Sequence, residues 1–475
     1  MLSWLNIFIA MDETNVSSFL LGGIKMELEK IVELLNDKKF KEFRSLIIEA
    51  KYVDIAEIIE QLDDKNLLLA FRALPKDMAS DVFSYLPLSR QEDIITSITD
   101  KEITTIIEDL YVDDAVDLLD ELPATVVRRV LANAKPETRS ILNQFLNYKD
   151  YSAGSIMTSE YIALKKDITV KEAIKKIRVL AKDKEEIYTC YVTDSSRHLL
   201  GVISIKQLIL SEDDELLENI MTQSIISAYT NDDQEEVSKL LQKYDLLALP
   251  VVDNEFRLVG IVTIDDAIDV ISEETEEDFE KMAAIIPSDK PYFEMSVLSL
   301  FKNRILWLSI LMITGMITGA ILQSFEETIS ALPLLVSFIP MLNDTGGNSG
   351  SQASTMCIRG ITTGEITPKE WLKVWWKEFR VSLLISLSLG VFNFIRILLM
   401  FSEPFVDRVK YATVVCGTLM LVVVIAKSIG ALLPLLAKKV KLDPAVCASP
   451  MITTIVDCCA ILIYFALAVA VFPQL

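Results

Sequence analysis

The sequence predicts a multidomain membrane protein: an α-helical, solenoid-like N-terminal domain, a tandem α+β repeat, and a five-helix α-helical transmembrane domain. Three observations carry this. The 475-residue chain has a formal net charge of −22, very unevenly spread. Residues 303–475 hold 13 Lys/Arg against 10 Asp/Glu, whereas residues 1–302 hold 33 against 58. The near-neutral part contains uncharged runs of membrane length, and a patterned stretch between about 150 and 275 occurs twice.

An acidic surface on the N-terminal part excludes nucleic acid, which needs a basic face, and suits cations. The six cysteines (Cys190, Cys357, Cys416, Cys447, Cys458, Cys459) lack C-x-x-C spacing, and five lie in the apolar part. They read as small buried hydrophobes, not as a disulfide framework or a zinc site. His198 is the single histidine, which removes His-based metal sites and His-dependent triads.

Residues 1–25 form an N-terminal extension. Its apolar patch, Trp4 to Met11, lacks a basic flank and a cleavage site, which argues against a signal peptide; Met26 is an alternative start. Residues 26–149 form the acidic helical domain. From Glu27 to Phe145, short amphipathic runs are punctuated by Leu74-Pro75, Leu86-Pro87, Leu122-Pro123 and Lys135-Pro136. Proline suits the first turn of a helix, so each marks a restart, and the recurrence predicts stacked short helices. Within them, Asp113 and Asp117 share a face at i, i+4.

Residues 150–213 and 214–272 are the two repeats. Ser155-Ile156-Met157-Thr158 returns as Asn219-Ile220-Met221-Thr222, and Leu200-Gly201-Val202-Ile203-Ser204 returns as Val259-Gly260-Ile261-Val262-Thr263. With a helical pattern and an apolar strand between these motifs, each copy reads β-α-β-β-α, and the pair resembles two CBS domains. In such modules a Gly-x-x-Ser/Thr-x-x-Asp run often holds an adenosyl ribose. Gly260, Thr263 and Asp266 match it; the first copy has Gly201 and Ser204 but Gln207 in place of Asp.

An acid run follows, from Asp265 to Glu280, and leads into a connecting helix assigned to 273–302. Like charges at i, i+4 repel, and a hard cation bridging them reverses the sign. At about 2 kcal/mol per pair ~8 Å apart in an effective dielectric of ~20, two or three bridged pairs approach the ~5.5 kcal/mol that throws a two-state switch.

In residues 303–475, Ile305–Gln323, Val381–Phe401, Tyr411–Ala437 and Ala445–Phe472 are apolar spans, the first with a Gly315-x-x-x-Gly319 close-packing motif. The remaining span starts apolar at Ile329–Leu342 and runs into the polar, glycine-rich Asn343 to Gln352. Either it lines a wet path, with Pro340 kinking the helix, or its small residues pack tightly. Arg396 and Lys427 are expected to snorkel or pair. Asp457 is the single charge of the last span and must face a partner, a cation or water. The distribution of Lys and Arg between loops puts the N-terminal domains in the cytoplasm and the C-terminus outside. Five is odd, so a pore needs a second copy, and a two-fold homodimer is the expected closure.

Taken together, these parts resemble the MgtE family of magnesium channels. The most specific stretches are Pro340-Met341-Leu342 through Gly346-Gly347-Asn348-Ser349-Gly350-Ser351-Gln352, and Asp443-Pro444-Ala445-Val446 followed by Pro450 and Asp457. The resemblance implies no enzyme but a Mg2+-selective channel gated by intracellular Mg2+, with membrane lipid and a second copy as partners. It implies that Asp457 of both subunits selects the ion and that the connecting helix is a plug. The implied sensor acids are Asp113, Asp117, Asp233, Glu235, Asp245, Asp266, Asp269, Glu274, Glu277 and Asp278, and Asp443 joins the metal-binding candidates. Pro340, Gly347, Asn348, Gln352, Thr453 and Thr454 are the implied pore lining. ATP at Thr263 and Asp266 stays open. Magnesium dehydrates reluctantly, so two facing Asp457 carboxylates, with Asn348 and Thr454 taking water hydrogens, suit a hydrated ion. Two other classes remain: a CBS-domain membrane receptor without transport, and an ion-coupled divalent-cation transporter.

Overall fold

The computed structural model describes residues 18–21, 24–288, 292–293, 295–447 and 449–472. The reading of Trp4 to Met11 lies outside them. The chain divides into two compact units, residues 1–271 and 272–475.

In the first unit, β1 (Ser18–Leu21) and β2 (Ile24–Glu27) pair antiparallel. Ten short helices follow: α1 (Leu28–Asn36), α2 (Phe40–Ile47), α3 (Tyr52–Glu60), α4 (Asp64–Ala73), α5 (Lys76–Ser84), α6 (Leu88–Ser97), α7 (Asp100–Asp109), α8 (Val112–Glu121), α9 (Ala124–Asn133) and α10 (Pro136–Phe145). The prolines mark the restarts. Pro75, Pro87 and Pro123 stand immediately before α5, α6 and α9, and Pro136 opens α10. Alternate helices pack on one another from α3 onward, which is the solenoid. A helix of this length is marginal alone, so the stack is held by its buried faces, such as Ile55 and Ile59, Phe83, and Ile103 and Ile107.

The repeats follow. The first contains β3 (Ile162–Lys165), α11 (Val170–Leu180), β4 (Thr189–Thr193), β5 (Leu199–Ser204) and α12 (Ile205–Leu210). The second contains the one-turn α13 (Leu217–Ile220), β6 (Ala228–Tyr229), α14 (Gln234–Tyr244), β7 (Ala248–Val252), β8 (Leu258–Thr263) and α15 (Ile264–Met282). The sheets are β3-β4-β5 and β6-β7-β8, each with one parallel and one antiparallel pairing. The repeated motifs lock the copies across one another. Thr158 bridges Ile261, and Thr222 bridges Val202. A Cβ on Gly260 would lie 2.6 Å from Met157 Sδ, and one on Gly201 2.7 Å from Met221 Sδ. Each Ile-Met-Thr therefore needs the other copy's glycine. One hydrophobic core runs from Ile31 and Phe43 through the solenoid into Met157, Leu249, Val262 and Ala267.

The second unit is helical: α16 (Val297–Ser324), the short α17 (Glu326–Ala331) and α18 (Pro333–Val336), α19 (Ile339–Thr362), α20 (Trp371–Met400), α21 (Phe405–Lys439) and α22 (Ser449–Val471). Among the described residues, four stretches are long and apolar enough to cross a membrane: Val297–Ser324, Pro368–Met400, Phe405–Lys439 and Pro444–Val471. The fifth expected crossing, α19, has 24 residues, enough for a bilayer at 1.5 Å per residue, but carries the polar run.

Two expectations change here. Pro340 does not kink a helix; it sits in the first turn of α19, where its missing N–H has no partner to lose. The connecting helix is not one rod over 273–302, because α15 stops at Met282, Ala284 takes φ +57°, and α16 starts at Val297. A Cβ on Gly315 or Gly319 would meet nothing within 4 Å among the described residues, so their close-packing surface is open there. The two cations within the spans are engaged: the buried Lys427 Nζ lies 3.6 Å from Glu378 Oε2, and the partly buried Arg396 Nε donates to Asn393 Oδ1 at 2.9 Å.

Candidate cation sites

The polar run of α19 has two unlike faces, one packed through its small residues and one polar and exposed. Gly346, Gly347 and Gly350 pack it between α21 and α22. A Cβ on Gly346 would meet Val422 and Val456, one on Gly347 would lie 2.8 Å from Thr453 Cγ2, and one on Gly350 2.6 Å from Ile452 Cγ2. From the other side, a Cβ on Gly430 would fall against the Gly350 carbonyl. Glycine costs a helix about 1 kcal/mol per residue; here the close approach of three helices offsets it. On the opposite face Asp344, Asn348 and Gln352 lie exposed at i, i+4, i+8. Pro340 is exposed at the start of the same helix, whereas Gly347 belongs to the packing face.

Asp457 sits half-buried on α22, one turn beyond Thr453 and Thr454. Both hydroxyls donate to the Pro450 carbonyl, at 2.9 and 3.0 Å, which leaves their oxygen lone pairs free for water hydrogens. Among the described residues Asp457 has no hydrogen bond or ion pair; the charge it feels is Asp344. A bare carboxylate in an apolar helix requires water or an ion.

The second candidate is in the first unit. Asp113 of α8, Glu185 in the loop before β4, and Asp266 at the start of α15 bring carboxylate oxygens within 4.8 Å of one another. Asp113 Oδ1 and Glu185 Oε2 are buried without a hydrogen-bond partner, whereas Asp266 Oδ2 accepts from Thr263 Oγ1 at 2.5 Å. Burial, then the neighbouring Asp266, pushes Glu185 up to about 8. Burial and the charges of Glu185 and Asp266 hold Asp113 well above the usual carboxylate range. Burial with Asp266 and Asp265 lifts the adjacent Asp114 to about 6. Three converging acids, two of them with orphaned oxygens, are a donor set for a hard divalent cation. Opposite ligands of octahedral Mg2+ stand about 4.2 Å apart, a little less than the 4.8 Å within which these oxygens lie, so one ion is held here with the acids closing slightly on it or with one of them reaching it through a water.

The remaining predicted acids are scattered or engaged. Asp233 caps α14, accepting from the Glu235 backbone N–H at 2.9 Å, and Glu235 pairs with Lys239 at 2.5 Å. Asp245 ends α14 in a left-handed conformation, φ +52°. Asp117 lies one turn after Asp113 on α8. Asp269 is exposed on α15, with Glu274 and Asp278 further along the same helix. In the second unit Lys281 lies 2.8 Å from Glu277 and 2.7 Å from Asp443, the residue before the turn Pro444–Cys447 that leads into α22. Sequence reasoning missed Glu185, Asp114 and Asp344. Asp114 adjoins the noted Asp113; Glu185 and Asp344 stand inside a loop and a polar run that mark no single position.

Residues 339–467 match a family model described as a divalent cation transporter, residues 50–151 the MgtE intracellular N domain, and residues 153–212 and 217–273 the CBS domain. The magnesium transporter MgtE of Thermus thermophilus is 34% identical over 441 residues, 92% of this chain and 96% of that protein. This chain belongs to the MgtE family. The Bacillus subtilis MgtE is 33% identical over 93% of the chain and 96% of its own length. Among solved structures, the soluble part of a magnesium transporter matches with 32% identity, 52% of this chain, 97% of that chain and a TM-score of 0.49. The cytosolic domain of the Mg2+ channel MgtE in complex with ATP matches with 33% identity, 51% of this chain, 99% of that chain and a TM-score of 0.49. Like other MgtE proteins, this one is a multi-pass membrane protein with a cytoplasmic N-terminal part.

Proposed function

We propose that the chain conducts Mg2+ across the membrane along a path lined by α19 and α22 of two copies, and that cytoplasmic Mg2+ closes it. The observation that carries this is the unpartnered Asp457 beside Thr453 and Thr454 in an otherwise apolar helix. Mg2+ keeps much of its water, so Asp457 acts mainly through that shell, with Asn348 and Gln352 on the facing polar stripe. Five crossings, α19 included, leave one chain without an internal symmetry mate. The open Gly315 and Gly319 face of α16 is where a second copy or lipid packs.

The sensor reading rests on Asp113, Glu185 and Asp266. Without Mg2+ their repulsion loosens the packing of the helical domain on the second repeat; with Mg2+ they are bridged, and the bridged state moves α15 towards closure. ATP is the second proposed ligand. A ribose held by Thr263 and Asp266 takes the carboxylate that the acid cluster uses, so ATP and Mg2+ compete at Asp266.

The test is Mg2+ uptake into magnesium-auxotrophic cells and into liposomes containing the purified protein. Asp457→Asn is expected to lower flux at least tenfold, and Asp113→Asn to leave flux open at Mg2+ concentrations that close the wild type. Wild-type flux in Asp457→Asn would sink the pore assignment. Flux that follows an imposed Na+ gradient would favour coupled transport over a channel.

A further inference from the structure

We propose that Asp344 is a second selectivity-determining carboxylate, standing at the depth of Asp457 and acting with it on the permeating divalent cation. The inference deepens the transport reading above and rests on it.

The register between α19 and α22 carries it. Gly346 meets Val456, Gly347 meets Thr453 and Gly350 meets Ile452, so numbers rise along one helix as they fall along the other. The helices are antiparallel. At 1.5 Å per residue, Asp344 stands about 4.5 Å from the Gly347 level, and Asp457 stands about 6 Å from the Thr453 level in the same direction. The two carboxylates therefore differ in depth by only about 1.5 Å. Asp344 is exposed on the stripe it shares with Asn348 and Gln352, has no ion pair among the described residues, and is the charge acting on Asp457.

A second charge changes what the path prefers. Two adjacent carboxylates repel, and one divalent cation between them neutralises both. A monovalent ion leaves one charge uncompensated. Asp344 thus makes the preference for a doubly charged ion a property of one level of the path, and a two-fold copy repeats it across the axis.

The full-length protein in liposomes tests this through Mg2+ influx as a function of Mg2+ concentration, with Na+ influx in parallel. Asp344→Asn is expected to raise the half-saturating Mg2+ concentration about tenfold and to admit Na+, while Asp344→Glu keeps both properties near wild type. Asp344→Ser stands in should the Asn variant fail to fold. Unchanged half-saturation and Na+ exclusion in the neutral variants, with Asp457→Asn inactive, overturn the role of Asp344 alone. A loss of flux that Glu does not restore marks a structural residue and also overturns it. A wild type that passes no Mg2+ sinks the transport reading, and the role of Asp344 with it.

Discussion

Gly347 lies against Thr453 so closely that one added methyl on the glycine would stand 2.8 Å from Thr453 Cγ2. This contact sets how near α19 comes to α22. Gly347→Ala is expected to lower stability by about 1–3 kcal/mol, the usual cost of overpacking. Thr453→Ser, which removes the opposing methyl, should recover part of the loss in the double variant. Thermal unfolding of the solubilised protein reads both; a Gly347→Ala protein as stable as the wild type would contradict the packing role.

Asp113 is nearly inaccessible and has an oxygen without a partner. Asp113→Asn keeps its shape and removes a carboxyl whose ionised form burial, Glu185 and Asp266 disfavour. In Mg2+-free buffer the variant should be more stable than the wild type by about 1–2 kcal/mol. Added Mg2+ should stabilise the wild type and barely move the variant. Denaturant titration of the cytoplasmic unit in the full-length protein, with and without Mg2+, makes the comparison.

The same cluster gives a pH dependence. Glu185, raised from 4.5 to about 8, and Asp114, raised from 3.8 to about 6, hold protons in the folded state that the unfolded chain has released. Groups shifted upward contribute stability that is complete below their unfolded pKa and is lost as pH rises towards the folded one. Without Mg2+, the unfolding temperature of this unit should therefore fall between about pH 4 and pH 8. Saturating Mg2+ should flatten the fall, and binding should release protons detectable by calorimetry in buffers of different ionisation heat. A profile that rises over the same range would contradict the assignment.

Lys281 ties the end of α15 to the turn before α22 through Asp443 and Glu277, and these two acids push its ammonium pKa up. Lys281→Met leaves the carboxylates facing each other unneutralised. The expected result is a higher Mg2+ concentration for half-closure, by a few-fold, the scale of a partly exposed ion pair worth about 1 kcal/mol. Flux assays across internal Mg2+ concentrations measure it. Half-closure at the wild-type concentration would mean that the tether has no part in gating.

Much of the fold is legible in the chain because it is local. The prolines at 75, 87, 123 and 136 mark helix starts through a property each carries alone. The second Ile-Met-Thr reads as a repeat before anything is known of Gly201 and Gly260. The polar run of α19 was harder, since small and polar residues fit both a packed face and a wet one. Only helical periodicity at 100° per residue separates Gly346 and Gly350 from Asp344, Asn348 and Gln352, and that requires the run to be helical throughout.

Glu185 and Lys281 were out of reach for another reason. Glu185 lies in a loop and meets α8 more than sixty positions earlier in the chain; Lys281 meets Asp443, 162 positions later. No periodicity or spacing links residues brought together by chain return. By itself the sequence determined the helical stack, the tandem repeat, the apolar spans and the single charge that Asp457 places in the last of them, because propensity, hydrophobic pattern and the cost of a charge in an apolar helix act at single positions. The tertiary structure decided which acids converge, that Gly347 packs while Asn348 is open, and that Asp344 stands level with Asp457. Each of these depends on how separate elements approach, and that distance is set by the whole core.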